Sequence, residues 1–328
     1  MPSRDSTARA AGLALGVLAD ALLGDPRRFH PVAGFGRAAS ALERRWYADD
    51  VGRGAAFGGV AVGVPVLVGV LAERFAAGRP AVRVLVTAAA TWSVLGGTSL
   101  AREGVVMAGL LEGGDVAGAR RRLSHLCARD AGCMQPADLA RATVESLAEN
   151  ASDAVVAPLL WGAVAGVPGL LGYRAANTLD AMVGYRSVRY LRFGRACARL
   201  DDVLNWVPAR VTGGLVTLAA PTVGGSPGRA WRVLRRDASR HPSPNAGRPE
   251  AAAAGALGVR LGGCNVYGGH VEDRPELGDG RPPGVGDVRR AVRLGRVVTA
   301  AAAAVAVGVA VGEARRRPWQ SGGKGAWS

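Results

Sequence analysis

Residues 149–173, ENASDAVVAPLLWGAVAGVPGLLGY, decide the fold because they join two acids to a long apolar run. The run from Ala154 to Tyr173 contains no charged residue. An α-helix needs about 20 apolar residues to cross the hydrocarbon core of a bilayer. Glu149 and Asp153 lie immediately before this run. The stretch therefore predicts a membrane-embedded helix with carboxylates at its edge.

Further apolar segments occur on both sides of this stretch. They lie at residues 54–72, 84–101, 211–228 and 297–312, with a weaker candidate at 10–23 that Asp20 interrupts and that we expect to be retained. Ala, Gly and Val supply most of the apolar content, and small residues let helices approach closely in lipid. We therefore predict an all-α, polytopic integral membrane protein with about four to six membrane-embedded segments. We expect one catalytic domain over residues 1–312 and a disordered tail over residues 313–328.

The distribution of arginine bears on orientation. The long linkers 24–53, 102–153 and 229–296 are Arg-rich, which places them on the cytoplasmic side by the positive-inside rule. The linker 174–210 is also Arg-rich, although simple alternation would place it on the opposite side. Either one apolar segment returns to the side from which it entered, or the number of segments is wrong.

The formal net charge of +15 indicates an anionic partner. Nucleic acid, anionic lipid and phosphorylated substrates would each neutralise this positive charge. The arginines are spread through every linker and rarely alternate with aromatic residues, so we predict no binding of nucleic acid. The four cysteines form no CxxC pair, and we predict neither a zinc site nor a disulfide framework.

The first acidic motif is the pair Glu149 and Asp153. Residues four apart stack on one face of a helix, so the two carboxylates would repel each other. A cation such as Mg²⁺ would relieve that repulsion. The alternative is that the acids cap a helix, where they favour its dipole. Asn150 lies beside them as a possible hydrogen-bonding group.

The second motif is YRAANTLDAMVGYRSVRY, residues 173–190. Arg174, Asn177 and Asp180 follow at intervals of three, close to one helical face, and Arg186 comes next. Guanidinium groups, an amide and an acid suit the binding of phosphate and a metal better than they suit a packing surface.

The third motif is ARLDDVLNWVPAR, which ends at Arg210. Asp201 and Asn205 share a helical face and Asp202 adjoins them. A pair of acids on a short helix at the membrane edge is a candidate magnesium site. An ion pair with Arg199 is the alternative.

A fourth motif, NAGRPEAAAAGALGVRLGGCNVYGG, is rich in glycine and allows close approach of backbones. Asn245, Asn265 and Tyr267 are its candidates for hydrogen bonds to a substrate. Nearer the amino terminus, GDPRRFHPVAGFGR contains His30, a further candidate, although a lone histidine is more often structural than catalytic.

These motifs, in this order, resemble the CobD/CbiB family of cobalamin biosynthesis, the adenosylcobinamide-phosphate synthases. The resemblance runs from about Gly24 to Asp287, and its specific core is EN-x-x-D, then YR-x-x-NTLD-x-M-x-G-Y, then DD-x-x-N-x-x-PAR. It implies a multi-pass enzyme of the cell membrane that joins adenosylcobyric acid to (R)-1-amino-2-propanol phosphate, or to aminopropanol. The product would be adenosylcobinamide phosphate, with ATP and Mg²⁺ as cofactors. Membrane lipid and other corrinoid-pathway membrane enzymes would be its partners.

Formation of an amide from a carboxylate requires activation of that carboxylate, neutralisation of phosphate charge and a base for the ammonium proton. Under the resemblance the catalytic candidates are Glu149, Asp153, Asp180, Asp201 and Asp202, of which Asp180, Asp201 and Asp202 are the candidate Mg²⁺ ligands. The candidates for binding substrate or phosphate are Asn150, Arg174, Asn177, Arg186, Asn205, Arg210, His30, Asn245, Asn265 and Tyr267.

Two other functions remain open from the residues alone. A membrane transporter for a corrinoid or another small molecule would also place polar residues beside broken apolar segments. No inverted repeat is visible, and the polar residues concentrate in the linkers. A non-catalytic scaffold for corrinoid enzymes would not require clustered Asp, Asn and Arg at helical spacing.

Overall fold

The computed structural model describes residues 4–26, 30–185, 187–267 and 270–316. Within these ranges the regular secondary structure is helical apart from one antiparallel pair of strands and an isolated bridge between Val259 and Arg281. The elements are α1 (Arg4–Leu23), α2 (Pro31–Trp46), α3 (Val51–Phe75), α4 (Pro80–Val94), α5 (Gly97–Glu112), α6 (Val116–Leu123), α7 (Pro136–Ala151), α8 (Ala157–Val183), α9 (Arg195–Ala219), α10 (Pro227–Asp237), α11 (Gly247–Leu257), β1 (Leu261–Tyr267), β2 (His270–Leu277) and α12 (Val285–Arg316).

Five helical segments of the described chain are long and apolar enough to cross a membrane, judged by length and composition. They are Asp5–Leu23, Val51–Phe75, Pro80–Glu112, Pro136–Val183 and Val285–Gly312. The prediction of a polytopic helical membrane protein is confirmed. The apolar stretch 211–228 is not one of the five: α9 ends at Ala219, a 3₁₀ turn follows, and α10 is rich in arginine.

Small residues set the contact between α1 and α4. A Cβ atom added at Gly12 would lie 2.5 Å from the Cβ of Thr87, and one at Gly16 would lie 2.4 Å from the Cβ of Thr91. The two glycines are four residues apart, so they line one stripe of α1. Their lack of side chains lets the two backbones pack closely, as the composition indicated.

The apolar run that decides the fold is not one straight helix. At Gly166 the backbone is non-helical, with φ 64° and ψ −147°, and the helix axis reverses there. Residues eight positions apart consequently touch: a Cβ at Gly162 would lie 2.7 Å from the Cδ2 of Leu170, and one at Gly169 would lie 2.3 Å from the Trp161 carbonyl oxygen. The run therefore forms a helical hairpin that returns towards its starting point.

Two charged side chains satisfy the backbone at this reversal. Arg9 of α1 donates to the carbonyl oxygens of Ala163 and Val164 at 3.2 and 3.3 Å. Glu73 of α3 accepts from the Val167 N–H at 3.0 Å, and it lies 4.0 Å from the Arg9 guanidinium. Unpaired backbone groups in a membrane domain cost several kcal/mol each, so this ion pair stabilises the break.

The hairpin bears on the position of the linker 174–210. Because the chain reverses at Gly166, the residue that follows the hairpin lies on the same side as the residue that precedes it. Asp153 and Asn177 illustrate this, since their side chains meet at 3.4 Å. Both alternatives that the arginine distribution left open apply: the structure has a returning segment, and the number of apolar segments also differs, since 211–228 is not among the five.

The β-hairpin was not predicted. Gly262 and Gly263 have φ values of 87° and 84°, and the strand register is irregular between Leu261 and Gly263. Glu145 of α7, which is 1% exposed, accepts from the Gly262 N–H at 2.6 Å and also pairs with the buried Arg129. The glycine-rich motif allows the predicted close approach, and what it approaches is a buried acid of α7.

The carboxyl-terminal segment only partly matches its prediction. The disordered tail was expected to begin at residue 313, whereas α12 continues to Arg316. Residues 317–328 lie outside the described residues.

We expect Gly166→Ala to destabilise the protein by about 2 kcal/mol, because only glycine adopts this backbone conformation readily. An added Cβ would also lie 2.0 Å from the Glu73 Oε1. The measurement is denaturant unfolding in detergent micelles. Gly63→Ala is the matched control, since Gly63 lies in α3 and has no atom within 4 Å of the added Cβ. Equal stability of both variants would contradict a strained reversal at Gly166.

Candidate active site

The first acids of the site lie where α7 passes into α8. Ser152–Val156 form a π-helical turn between the two helices, and Asp153 belongs to this turn. Wide turns of this kind often mark functional positions, because the extra residue redirects neighbouring side chains. Asp153 and Glu149, one turn earlier, line the same cavity of about 90 Å³. The prediction that Glu149 and Asp153 face the same side is confirmed.

The returning limb of the hairpin brings a tyrosine and an amide to Asp153. The Tyr173 hydroxyl shares its one proton between the Asn205 Oδ1 at 2.8 Å and the Asp153 carbonyl oxygen at 3.2 Å. The Asn177 amide donates to the Asp153 Oδ2 at 3.4 Å and to the Asp201 Oδ1 at 3.2 Å. Asn177 therefore bridges two carboxylates that come from different helices.

Helix α9 supplies the opposite wall of the site. The Asn205 amide donates to the Asp201 Oδ2 at 2.9 Å, as expected for residues four apart on one face. Burial raises the pKa of Asp201 to about 6, with Asp202 and Glu149 adding to the rise and the amides of Asn177 and Asn205 opposing it. Asp201 is thus held in one orientation by neutral donors.

All five predicted catalytic acids line this one cavity. Its wall includes Glu149, Asp153, Asp180, Asp201, Asp202, Asn205 and Asn245, together with Ser152 and Ser243. Asn245 donates to the Asp202 carbonyl oxygen at 2.8 Å, and its own Oδ1 is buried without a hydrogen bond. The sequence motifs that lie far apart in the chain thus form one polar site.

Two of the acids keep their oxygens available. Among the described residues, the side-chain carboxylates of Glu149 and Asp180 make no hydrogen bond, and neither carries a fully buried, unpaired oxygen. No described Arg, Lys or His forms an ion pair with Glu149, Asp153, Asp180 or Asp201. The site therefore concentrates negative charge and leaves carboxylate oxygens facing the cavity.

The donor set suits a hard cation that is only partly bound by protein. Within the described residues, no three His, Cys, Asp or Glu side chains are arranged to hold a metal ion by themselves. Magnesium, however, usually keeps water ligands and is bound through one or two carboxylates together with substrate phosphates. Carboxylate and amide oxygens around a small polar cavity fit that mode of binding.

Two other predicted residues lie elsewhere. Arg174 does not line the carboxylate cavity; it lines an apolar cavity with Pro31 and Phe35, and its Nε is buried without a hydrogen bond. His30 accepts from the Val32 N–H at 3.2 Å and so caps α2, with its Nε2 3.7 Å from Asp25. His30 thus caps a helix, which is a structural role of the kind that a lone histidine usually has.

The remaining predicted residues divide into three groups. Arg210 stacks on Trp206 with its Cζ 3.9 Å from the ring centre and does not line the cavity. The Asn150 amide donates to the Ser146 carbonyl, and Asn265 accepts from Arg141 beneath the β-hairpin. Arg186 lies outside the described residues, as does the side chain of Tyr267.

Tyr173 and the serines of the cavity wall were not predicted. Tyr173 is 2% exposed and contacts both Asp153 and Asn205. A helical-face argument could have found it, since Tyr173, Asn177 and Asp180 follow the i, i+4, i+7 spacing of one face. Ser243 offers no such signal, because it lies in an irregular segment before α11.

A further buried acid lies outside the lining of the carboxylate cavity. Glu250 of α11 is 2% exposed, and burial followed by the nearby Glu145 and Glu149 raises its pKa well above the usual range. His241 lies 3.7 Å from it, and burial lowers the pKa of that imidazole. Both shifts favour neutral forms, so this pair adds little charge to the cavity.

Fold and site together define a polytopic helical membrane protein with an acidic, amide-lined site at the end of a helical hairpin. The chain matches the CobD/Cbib protein family over residues 13–295. It is 56% identical to the cobalamin biosynthesis protein CobD of Mycobacterium tuberculosis, over 94% of this chain and 97% of that protein. Identity is 46% to the protein of that name from Geobacter metallireducens, over 81% of this chain and 86% of the relative.

The chain is also 42% identical to the cobalamin biosynthesis protein CobD of Rhodobacter capsulatus, over 81% of this chain and 85% of that relative. No solved structure matches the chain. The chain belongs to the CobD/CbiB family, a family of cobalamin biosynthesis proteins.

We expect Tyr173→Phe to lower the free energy of unfolding by about 1–2 kcal/mol, because the buried oxygens of Asp153 and Asn205 lose their donor. Tyr47→Phe is the matched control, since the Tyr47 hydroxyl makes one exposed hydrogen bond, to the Arg189 carbonyl at 3.0 Å. Denaturant unfolding in detergent measures both. Comparable losses in the two variants would show that the buried network contributes no special stability.

Proposed function

We propose that this protein is an enzyme of cobalamin biosynthesis in the cell membrane that forms an amide bond. Its substrates are adenosylcobyric acid and (R)-1-amino-2-propanol phosphate, or aminopropanol, and its product is adenosylcobinamide phosphate. The observation that carries the proposal is the convergence of five carboxylates and two asparagine side chains on one cavity. Membership in the CobD/CbiB family supports the pathway.

The reaction requires activation of a carboxylate at the expense of ATP, because an amine does not attack an unactivated carboxylate usefully. One or two of the carboxylates of Asp180, Asp201 and Asp202, together with substrate phosphate, would hold Mg²⁺, which would supply neutralisation of phosphate charge. Asp201 is suited to this role because Asn177 and Asn205 fix its orientation while each oxygen keeps a second lone pair.

The amine loses a proton as the amide forms, and the site contains an acceptor for it. Glu149 lines the cavity with oxygens that make no hydrogen bond among the described residues. It lies one turn before Asp153, whose Oδ2 is held by Asn177. In the proposal Glu149 therefore accepts the ammonium proton, and Asp153 supplies negative charge that attracts the amine and the cation.

The proposed activity is tested directly by an assay on the purified protein in detergent. Adenosylcobyric acid, aminopropanol phosphate, ATP and Mg²⁺ are supplied, and the corrinoid product is followed by mass spectrometry. We expect product that depends on both ATP and the protein. Absence of product from protein that is folded and still binds the corrinoid would contradict the proposal.

We expect Asp180→Ala to lower the turnover number by at least about 100-fold, because the variant loses an unpaired carboxylate at the cavity. Asp180 makes no side-chain hydrogen bond among the described residues, so the protein should remain folded in the membrane. Asp273→Ala is the control, since Asp273 is exposed on the β-hairpin. Wild-type turnover by Asp180→Ala would remove this acid from the proposed site.

A further inference from the structure

A second cavity adjoins the carboxylate site. Its volume is about 370 Å³, and Arg192, Arg195 and Arg199 line it. Asp202 also lines it, and the same residue lines the carboxylate cavity. The two cavities therefore share a wall, with cations on one side and acids on the other. We call the second one the arginine cavity.

The arginines of this cavity are weakly paired. In the part of the chain that the structure describes, the side chains of Arg195 and Arg199 make no hydrogen bond or ion pair, and Arg192 reaches Asp49 only at 3.9 Å. Arg195 and Arg199 are four residues apart on α9, so their charges repel on one helix face. An unpaired surface arginine is usually solvated, but three that share one cavity form a site for an anion.

The position of these cations on α9 adds an independent argument. Arg195 and Arg199 occupy the first two turns, where the helix dipole disfavours positive charge. No acid lies in the first turn, and Gly194 at the N-cap has no side chain to offset the dipole. The dipole favours a bound anion, and an anion would also relieve the repulsion between the arginines.

We propose that the arginine cavity binds the phosphate of a soluble substrate and directs that substrate past Asp202 to the carboxylate cavity. This inference rests on the proposed function and specifies where its phosphate is held. ATP and aminopropanol phosphate both carry phosphate oxygens that arginine binds in bidentate fashion. A lipid headgroup is a further source of phosphate, and the experiment separates the three.

The test compares wild type with Arg195→Gln/Arg199→Gln in nanodiscs of phosphatidylcholine alone. Arg44→Gln/Arg45→Gln is the matched control, because it removes the same charge from two exposed residues of α2 that do not line the cavity. Calorimetric titrations with ATP and Mg²⁺, and separately with aminopropanol phosphate, measure the dissociation constants. Thermal unfolding confirms that each variant is folded.

We expect the dissociation constant of one of the two ligands to rise at least about tenfold in the cavity variant and less than about twofold in the control. The ligand that loses affinity is the one whose phosphate the cavity holds. Unchanged affinity for both ligands, or no binding of either by wild type, would overturn the inference. Loss of co-purifying anionic lipid, with both ligand affinities unchanged, would assign the arginines to lipid headgroups instead.

Binding does not require turnover, so the two proposals can fail separately. If the cavity variant loses phosphate binding and the wild-type protein forms no amide, the anion site is upheld and the proposed activity is overturned. If the cavity variant forms the amide with wild-type KM values for both phosphate substrates, the proposed activity is upheld and the anion site is overturned.

Discussion

A chain that reverses direction inside a membrane domain must satisfy the backbone groups that the broken helix leaves free. Here that requirement is met at Gly166 by Glu73 and Arg9, which hold the N–H and carbonyl groups on the two sides of the break. Everything in the proposed active site depends on this reversal. Without it, Asn177 would lie on the far side of the apolar run from Asp153, and the two could not share a hydrogen bond.

The site that results relies on neutral donors. Asn177 and Asn205 hold Asp201 through amide N–H groups, and Tyr173 holds Asn205 in turn. An arginine in place of either amide would orient the carboxylate equally well but would cancel its charge. Because the donors are neutral, the cavity keeps the negative potential that a hard cation requires. Three exposed arginines lie instead beyond Asp202, in the arginine cavity.

Much of this site could be predicted from sequence, because helical spacing and the position of acids beside an apolar run are local properties. The five acids were found in this way, and the structure brings them to one cavity. Arg174 lies outside this cavity for a geometric reason. At 3.6 residues per turn, each step of three residues falls about 60° short of a full turn, so an i, i+3, i+6 series drifts off the face. The series that stays on the face begins at Tyr173.

The reversal at Gly166 and the β-hairpin could not be predicted in the same way. An uncharged run of 20 residues is equally compatible with a span and with a returning pair of shorter limbs. What distinguishes them is the pairing of Arg9 and Glu73 with this backbone, and both lie far from it in sequence. The strand at Leu261 likewise depends on Glu145, a residue of another helix. Such contacts become visible only once the helices are assembled.

Helix α9 connects the carboxylate cavity and the arginine cavity as a continuous helix. Arg195 and Asp202 are seven residues apart, which corresponds to about 10 Å along the helix axis. A phosphate held by the first turns of α9 would therefore lie at a nearly constant distance from the acids. Burying Cys197 and Asn205 against the rest of the protein fixes the rotation of the helix between them. The separation of the proposed anion and cation sites thus follows from one helix.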